Sequence, residues 1–193
     1  MGYSQADKIQ SRERILQAAS AQIGRQGLDS LAIADIMREA GLTVGAFYGH
    51  FASRDELVAE AARRMMSNGQ AHIDELLVHS RHPTLKAFLD IYFDVEHIRD
   101  AAAGCGICSL VGEARYASDK VRAVVAQQYT HNVAQVAALL GGGKAALKHA
   151  KGVMISIVGA VNLARAVEDP AMAKDILHAA REQILRGSRE FET

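Results

Sequence analysis

Four side chains between positions 43 and 54 have the types and spacing to bind a phosphate group. Thr43 stands at the start of a predicted short helix, where its hydroxyl and nearby backbone N–H groups could bind an anion. Tyr48 and His50 follow on that helix with little bulk around them, so both could reach a DNA backbone. Arg54 opens the next predicted helix and could bind a further phosphate. A half-buried ring is the alternative interpretation of Tyr48.

Neighbouring positions are small or apolar, which suits a close approach to the major groove. Val44 and Ala46 could contact thymine methyl groups, and Gly45 would let the backbone come near the bases. Lys8 and Arg12 of the first predicted helix could touch an adjacent phosphate or the minor groove. Because the net charge is zero, DNA binding would depend on where these charges lie rather than on their sum.

Two cysteines and two histidines could support a different chemistry. The Cys-x-x-Cys spacing of Cys105 and Cys108 could form a redox pair or supply two zinc ligands. No second Cys-x-x-Cys and no βαβ pattern accompany this pair in the sequence, so inert packing and thiol sensing both remain open. His79 and His82 have the i, i+3 spacing of a metal pair, but solvated surface histidines are the simpler interpretation. We expect no metal and no cofactor.

Helices alone are predicted to position these residues. The chain is 49% hydrophobic with two prolines and few β-branched runs, which favours an all-α protein. Apolar residues recur every three or four positions between glycine and proline breaks. The predicted helices cover about residues 8–26, 31–40, 44–51, 53–79, 84–102, a short stretch ending near 115, 118–140, 144–167 and a last helix from 169.

A helix-turn-helix is predicted at the turn Gly41-Leu42-Thr43, which joins two short helices. The glycine allows the sharp turn, and Leu42 can fill the angle between the helices. The second of these helices contains two glycines, each of which would weaken an isolated helix by about 1 kcal/mol. Packing of Phe47 and Phe51 into a core must therefore hold it in place.

The segment 27–57 closely resembles the DNA-binding domain of the tetracycline-repressor (TetR/AcrR) family. Its turn Ala40-Gly41-Leu42-Thr43 stands where the family has Ala-Gly-Val-Ser, and Tyr48-Gly49-His50-Phe51 fits the family's Tyr-x-His-Phe. The resemblance covers about residues 8–60 with matching spacing and extends to the rest only as helix number and length. It implies a DNA-binding domain over residues 1–52 and an effector-binding and dimerisation domain over residues 53–193.

Several positions depart from the family pattern. Leu31 and Ala32 stand where a threonine or serine cap is usual, and Val44 replaces a common lysine or arginine. Arg54 replaces a lysine, and Gly49 stands where a bulkier residue is common. These changes affect expected phosphate contacts but leave the predicted fold unchanged.

The family resemblance implies a homodimer, and small residues spaced by four predict where it forms. Such a stripe lets two helices pack closely, and with the last helix it could form a four-helix bundle with a second copy. An ordinary core helix within one chain is the alternative. The predicted interface comprises Gly152, Ser156, Ala160, Ala164, Ile176 and Ile184.

The same resemblance implies an effector pocket inside the C-terminal bundle. Aromatic, methionine and cysteine side chains there suit a small apolar or mixed ligand, although simple core packing would explain each of them singly. The candidate lining residues are Met65, Phe88, Tyr92, Phe93, Cys105, Cys108, Tyr116 and Asn162.

The function expected from these features is that of a DNA-binding transcriptional regulator. We expect a homodimeric repressor that binds a palindromic double-stranded operator and is released by a small-molecule effector. A cysteine-based redox or electrophile sensor is one alternative. A helical enzyme is less favoured, because no nucleophile-base-acid set, metal motif or phosphate loop is recognisable in the sequence. No apolar run reaches the length of a membrane span, so a cytoplasmic location without membrane contact is expected.

Overall fold

The computed structural model describes residues 4–79, 84–94, 98 and 106–191, and every regular element in those ranges is helical. This confirms the predicted all-α class. Short 3₁₀ helices occupy Leu28–Ser30, Val44–Gly49 and Arg189–Phe191. The α-helices are α1 Gln5–Gln26, α2 Ile33–Glu39, α3 Arg54–His79, α4 Leu85–Tyr92, α5 Gly106–Ala114, α6 Asp119–Leu139, α7 Gly143–Ala166 and α8 Pro170–Gly187.

Capping interactions account for where α1 begins and ends. Ser4 and Asp7 form a reciprocal capping box, in which the Asp7 amide donates to Ser4 Oγ (3.1 Å) and the Ser4 amide donates to the Asp7 carboxylate (3.0 Å). The helix therefore starts at Gln5, three residues before the predicted start. Gly27 ends it with φ +85°, a backbone region that glycine adopts without strain.

The head of the molecule, defined as residues 4–53, is built around a small apolar core. Phe47 and Phe51 are both buried, as predicted, and their rings stack with centroids 5.8 Å apart. Ile15 of α1 and Ile36 of α2 pack into the same core. This packing holds the two-glycine segment Val44–Gly49, which is a 3₁₀ helix rather than the predicted α-helical turn.

Ion pairs fasten the head to the long helix α3. Arg12 of α1 pairs with Glu60 of α3 at 2.6 Å, and Arg64 of α3 pairs with Glu13 of α1. Both pairs are only partly exposed, and α1 packs along α3 over several turns. The orientation of the head is therefore tied to the orientation of α3.

The body, defined as the described residues from Arg54 onward, is a helical bundle in which α7 packs against both α6 and α8. Its core contains the Phe88 and Tyr92 rings, whose centroids lie 4.5 Å apart with their planes tilted by 34°, and the fully buried Asn132. An ion pair of 2.6 Å between Arg181 of α8 and Asp90 of α4 closes one side. Within the described part of the chain, no helix is both long enough and apolar enough to span a bilayer.

Candidate DNA-binding surface and effector groove

The 3₁₀ helix Val44–Gly49 presents an open outer surface. The Tyr48 side chain is 76% exposed and Val44 is 52% exposed, while Phe47 between them points into the core. A Cβ atom added at Gly45 or Gly49 would meet nothing within 4 Å. Since no neighbouring side chain shields this backbone, another macromolecule can approach it directly.

Thr43 lies at the start of this segment and is exposed. Its backbone is extended (φ −78°, ψ 149°), and its hydroxyl makes no capping hydrogen bond to the segment that follows. The hydroxyl is therefore available to an external acceptor or donor. Thr43 and Tyr48 are thus both exposed, and a DNA contact by either of them stays a prediction.

A concave surface of about 390 Å³ lies beside this segment, between α1 and the helix-turn-helix. It brings four of the predicted contact residues together and adds four others that line the turn. The lining residues are Lys8, Ser11, Gly41, Leu42, Thr43, Ala46, Gly49 and His50. A cation, a hydroxyl and an imidazole thus converge on one cleft, which suits a phosphate oxygen.

The surroundings of His50 in this cleft disfavour its protonated form. Its Nδ1 atom is buried and has no hydrogen-bond partner among the described residues. Burial lowers the pKa of His50 below its ordinary value of 6.5, and the positive charges of Lys8 and Arg12 lower it further. A bound phosphate would have the opposite effect on this pKa, because a negative charge favours the imidazolium.

Two predicted DNA contacts are instead engaged within the chain. Arg12 bonds Glu60, donates from Nε to the His50 carbonyl (3.4 Å) and lies over the Phe51 ring at 4.5 Å. Arg54 donates from Nε to the Leu31 carbonyl at 3.0 Å. Both guanidinium groups therefore shape the head, and a DNA contact by either one stays a prediction.

Comparisons with known proteins agree with this geometry. Residues 15–61 match the model of the family described as bacterial regulatory proteins, tetR family. The tetR-family likeness in sequence therefore covers most of the head and the start of α3. An uncharacterized HTH-type transcriptional regulator, YvdT of Bacillus subtilis (strain 168), is 38% identical over 69 residues. That match spans 33% of this chain and 36% of YvdT, which is about a third of the relative's length.

Solved structures extend the likeness to the whole fold of this chain. A TetR-family transcriptional regulator from Cytophaga hutchinsonii superposes with a TM-score of 0.76 at 17% identity, covering 96% of this chain and 97% of that one. A TetR-family regulator from Agrobacterium tumefaciens gives 0.72 at 24% identity, covering 91% and 98%. At these identities the likeness shows a shared fold.

The loop from Gly27 to Leu31 is held from three sides. Gln22 of α1 donates to the Ser30 carbonyl at 2.6 Å, and Arg54 of α3 donates to the Leu31 carbonyl. From the body, the Glu113 carboxylate of α5 accepts the Leu28 amide hydrogen, with the two atoms 2.6 Å apart. The loop leads directly into α2, so these contacts fix where the helix-turn-helix begins.

The Glu113 contact depends on the residue type at position 27. A Cβ atom at Gly27 would lie 2.6 Å from both Glu113 carboxylate oxygens. Glycine is therefore required there both for its positive φ and for the space that the carboxylate occupies. Sequence reasoning missed this contact, since nothing in the local pattern relates Glu113 to a residue 85 positions away.

An open groove of about 570 Å³ lies between α5, α6 and α7. Its surface is almost wholly apolar, and its two arginines lie where α5 ends and α6 begins. It is lined by Ile107, Val111, Ala114, Arg115, Arg122, Val125, Ala126, Tyr129, Met154, Ile155, Val158 and Gly159.

None of the predicted effector residues lines this groove. Four of them, Met65, Phe88, Tyr92 and Cys108, are buried in the core, and Phe93 is half-buried. The exposed Tyr116 ring lies under the Arg115 guanidinium, and the half-buried Asn162 donates to the Val158 carbonyl of its own helix at 2.9 Å. Cys105 lies outside the described residues, as does His82 of the candidate metal pair, which is not a predicted effector residue. An effector contact by any of these residues stays a prediction.

The predicted dimer stripe is divided between two faces of α7. Gly152 is exposed and Ser156 half-buried, whereas Ala160 and Ala164 are buried in the core of the same chain. On α8, Ile184 is buried and Ile176 is half-buried against the core. The uncovered apolar side chains of this region are Leu147, Ile155 and Leu163 of α7 and Met172 of α8.

Proposed function

We propose that this chain is a TetR-family transcriptional repressor that binds a palindromic operator as a homodimer and is released by a small-molecule effector. The exposed face of the 3₁₀ helix carries the DNA-binding part of this proposal. Thr43 and Tyr48 point outward from a backbone that the neighbouring Gly45 and Gly49 leave open. The body supplies the other two parts, dimerisation and release.

Dimerisation is assigned to the uncovered face of α7 and α8. Leu163 of α7 is 58% exposed and Met172 of α8 is 52% exposed, while a Cβ added at Gly152 would meet nothing within 4 Å. Exposed apolar patches of this kind mark interaction surfaces in soluble proteins. Pairing this face with a second copy through a twofold axis would present two heads to two half-sites. The proposed interface therefore keeps Gly152 and Ser156 of the predicted set. It leaves out Ala160 and Ala164, because both are buried in the core of the same chain.

Release is assigned to α5, which contacts both the groove and the head. Ile107, Val111 and Ala114 line the groove, while Glu113 on the same helix holds the Leu28 amide. A ligand that displaces α5 would therefore move or break a hydrogen bond to the loop that enters the helix-turn-helix. Such a ligand acts through its different affinities for two arrangements of the dimer.

The DNA-binding part is tested with the full chain and the double-stranded DNA upstream of its own gene. Fluorescence anisotropy at several salt concentrations should give sequence-selective binding that weakens as salt rises. The double variant Thr43→Ala, Tyr48→Ala should lose roughly tenfold or more in affinity, since it removes two DNA hydrogen bonds of about 1 kcal/mol each or more. Tyr116→Ala is the matched control, because Tyr116 is equally exposed but lies on the body.

Two results would overturn the DNA-binding assignment. One is equal affinity for upstream and scrambled DNA at every salt concentration. The other is an unchanged affinity of the Thr43→Ala, Tyr48→Ala variant when its helicity and thermal unfolding match those of the wild type. A cysteine sensor gains no support from Cys108, whose side chain is only 2% exposed.

A further inference from the structure

The apolar groove between α5, α6 and α7 has the size of a small-molecule site. Its volume of about 570 Å³ falls in the range of ligand pockets, roughly 300 to 1,000 Å³. Side chains from three helices form its walls, and they include the buried Met154 and the half-buried Val125 and Val158. A hydrocarbon body would remove this apolar surface from water, which is favourable in proportion to the area covered.

Charge is confined to one end of the groove. Arg115 follows the last residue of α5, and Arg122 lies in the first turn of α6, so the two guanidinium groups flank the same mouth. Arg122 is already paired with Asp119, whereas none of the described ion pairs involves Arg115. Arg115, Arg122 and Asp119 together carry one net positive charge. Among the described residues, no acidic side chain lines the groove itself.

We propose that the groove binds a small amphipathic monocarboxylate, with its hydrocarbon body along the groove and its carboxylate at Arg115 and Arg122. This inference rests on the proposed function, because it names the chemical class of the effector. Guanidinium groups bind carboxylates through paired N–H donors, and one net positive charge matches one carboxylate. A cationic head would be repelled at this mouth, and a neutral head would gain no charge-assisted hydrogen bond.

Tyr129 and Gly159 fit the same orientation of the ligand. Tyr129 is a half-buried lining residue of α6, two turns beyond Arg122 along the helix. Gly159 lies on the opposite wall, where an added Cβ would meet nothing within 4 Å, so the groove stays wide at that point. The apolar part of a ligand could therefore extend from the arginines past α6 toward α7 without displacing backbone.

Probes with one chain and different heads test the proposal directly. Decanoate, decanol and decylammonium share a hydrocarbon body, and their binding to the full chain is measured by titration calorimetry without DNA. Decanoate should bind at least about tenfold more tightly than decanol, which corresponds to a single charge-assisted hydrogen bond. Decylammonium should bind most weakly of the three.

Variants then locate the binding site. The double variant Arg115→Gln, Arg122→Gln should weaken decanoate binding to the level of decanol and leave decanol binding unchanged. Arg186→Gln removes an exposed arginine of α8 away from the groove and is the matched control. Ala126→Phe should fill the groove and abolish binding of both probes. Circular dichroism and thermal unfolding of each variant verify that the fold is retained.

The outcomes separate this inference from the proposed function. Equal binding of decanoate and decanol, or decanoate binding unchanged by both variants, would overturn the inference while DNA binding could still stand. A change of oligomeric state in Ala126→Phe with no effect on probe binding would also overturn it, since a second copy would then cover the groove. Selective decanoate binding that fails to release DNA would support the site and refute ligand-controlled release.

Discussion

The head and the body of this protein stabilise their surfaces in different ways. In the head, Arg12 and Gln22 donate to backbone carbonyls, and Arg54 at the start of the body donates to a further carbonyl of the head. In the body, α7 leaves Ile155 and Leu163 uncovered beside an open apolar groove. The head is thus complete within one chain, whereas the body exposes surfaces that suit a second copy and a ligand.

The difference suits a head that keeps one arrangement and a body that changes when a ligand binds. Under the proposed function, the head has to keep Thr43 and Tyr48 in one arrangement, and its hydrogen bonds to backbone favour that. The body would have to respond to a ligand, and the almost wholly apolar groove between α5, α6 and α7 is where we expect that response to begin. The hydrogen bond from the Leu28 amide to the Glu113 carboxylate joins the loop of the head to α5 of the body.

The largest predicted effect comes from placing a charge on the uncovered face of α7. Leu163→Glu should convert the dimer to a monomer, because two buried carboxylates would face each other across the twofold axis. Loss of bivalent binding should weaken operator affinity by about 100-fold or more. Sedimentation velocity and anisotropy measure both changes. Val78→Glu, at an exposed apolar position on α3, should leave both unchanged, and a Leu163→Glu dimer would contradict the assigned interface.

A smaller effect is expected from Gly27→Ala at the junction of head and body. The substitution forces an L residue to φ +85° and puts its Cβ against the Glu113 carboxylate. We expect a loss of about 1–3 kcal/mol in the free energy of unfolding, measured by denaturant titration. Gly49→Ala is the control, because its Cβ would lie in open space. Equal stabilities of the two variants would show that the junction carries no strain.

Glu113→Ala should destabilise the chain by about 1–2 kcal/mol, since it leaves the Leu28 amide without its charged acceptor. Hydrogen exchange should become faster at residues 28–31 while the core of the body keeps its protection. Glu168→Ala removes an exposed carboxylate elsewhere and serves as the comparison. Uniformly faster exchange throughout the chain would indicate general loosening in place of a local link.

Mild acid should produce the smallest effect, through His50. Its pKa in the folded chain is lowered by burial and by Lys8 and Arg12, so the unfolded chain binds the proton more readily. Stability should therefore fall as pH decreases below the ordinary value of 6.5. His50→Gln should flatten this part of the stability profile. A wild-type profile that matches the variant would contradict the assignment to His50.

Much of the fold could be predicted from the sequence, because caps and glycines mark helix ends locally. Gly27 and Gly41 have the expected positive φ, and most predicted helices agree with the described ones to within a few residues. The helix predicted over 84–102 is an exception, because α4 ends at Tyr92. The start of α1 was missed because Asp7, rather than glutamate or glutamine, completes its capping box. The short helix at Val44–Gly49 became 3₁₀ where two glycines weaken α-helical bonding.

The dimer stripe shows where a one-dimensional pattern fails. Residues spaced by four advance about 40° around a helix at each step, because a turn holds 3.6 residues. From Gly152 to Ala164 the stripe therefore turns from the exposed face into the core. The partners of Arg12, Arg54 and Glu113 were likewise hidden, since each lies far away in the sequence and is brought near only by packing.

Hydroxyl-radical footprinting of the full chain on its upstream DNA tests the central claim most directly, since it reports on the head and the paired body together. Two exposed 3₁₀ helices held by one dimer should protect two patches on one face of the duplex. The patches should be related by a dyad and separated by about one helical turn or a multiple of it. A single protected patch, or none at any protein concentration that keeps the chain folded, would contradict the account.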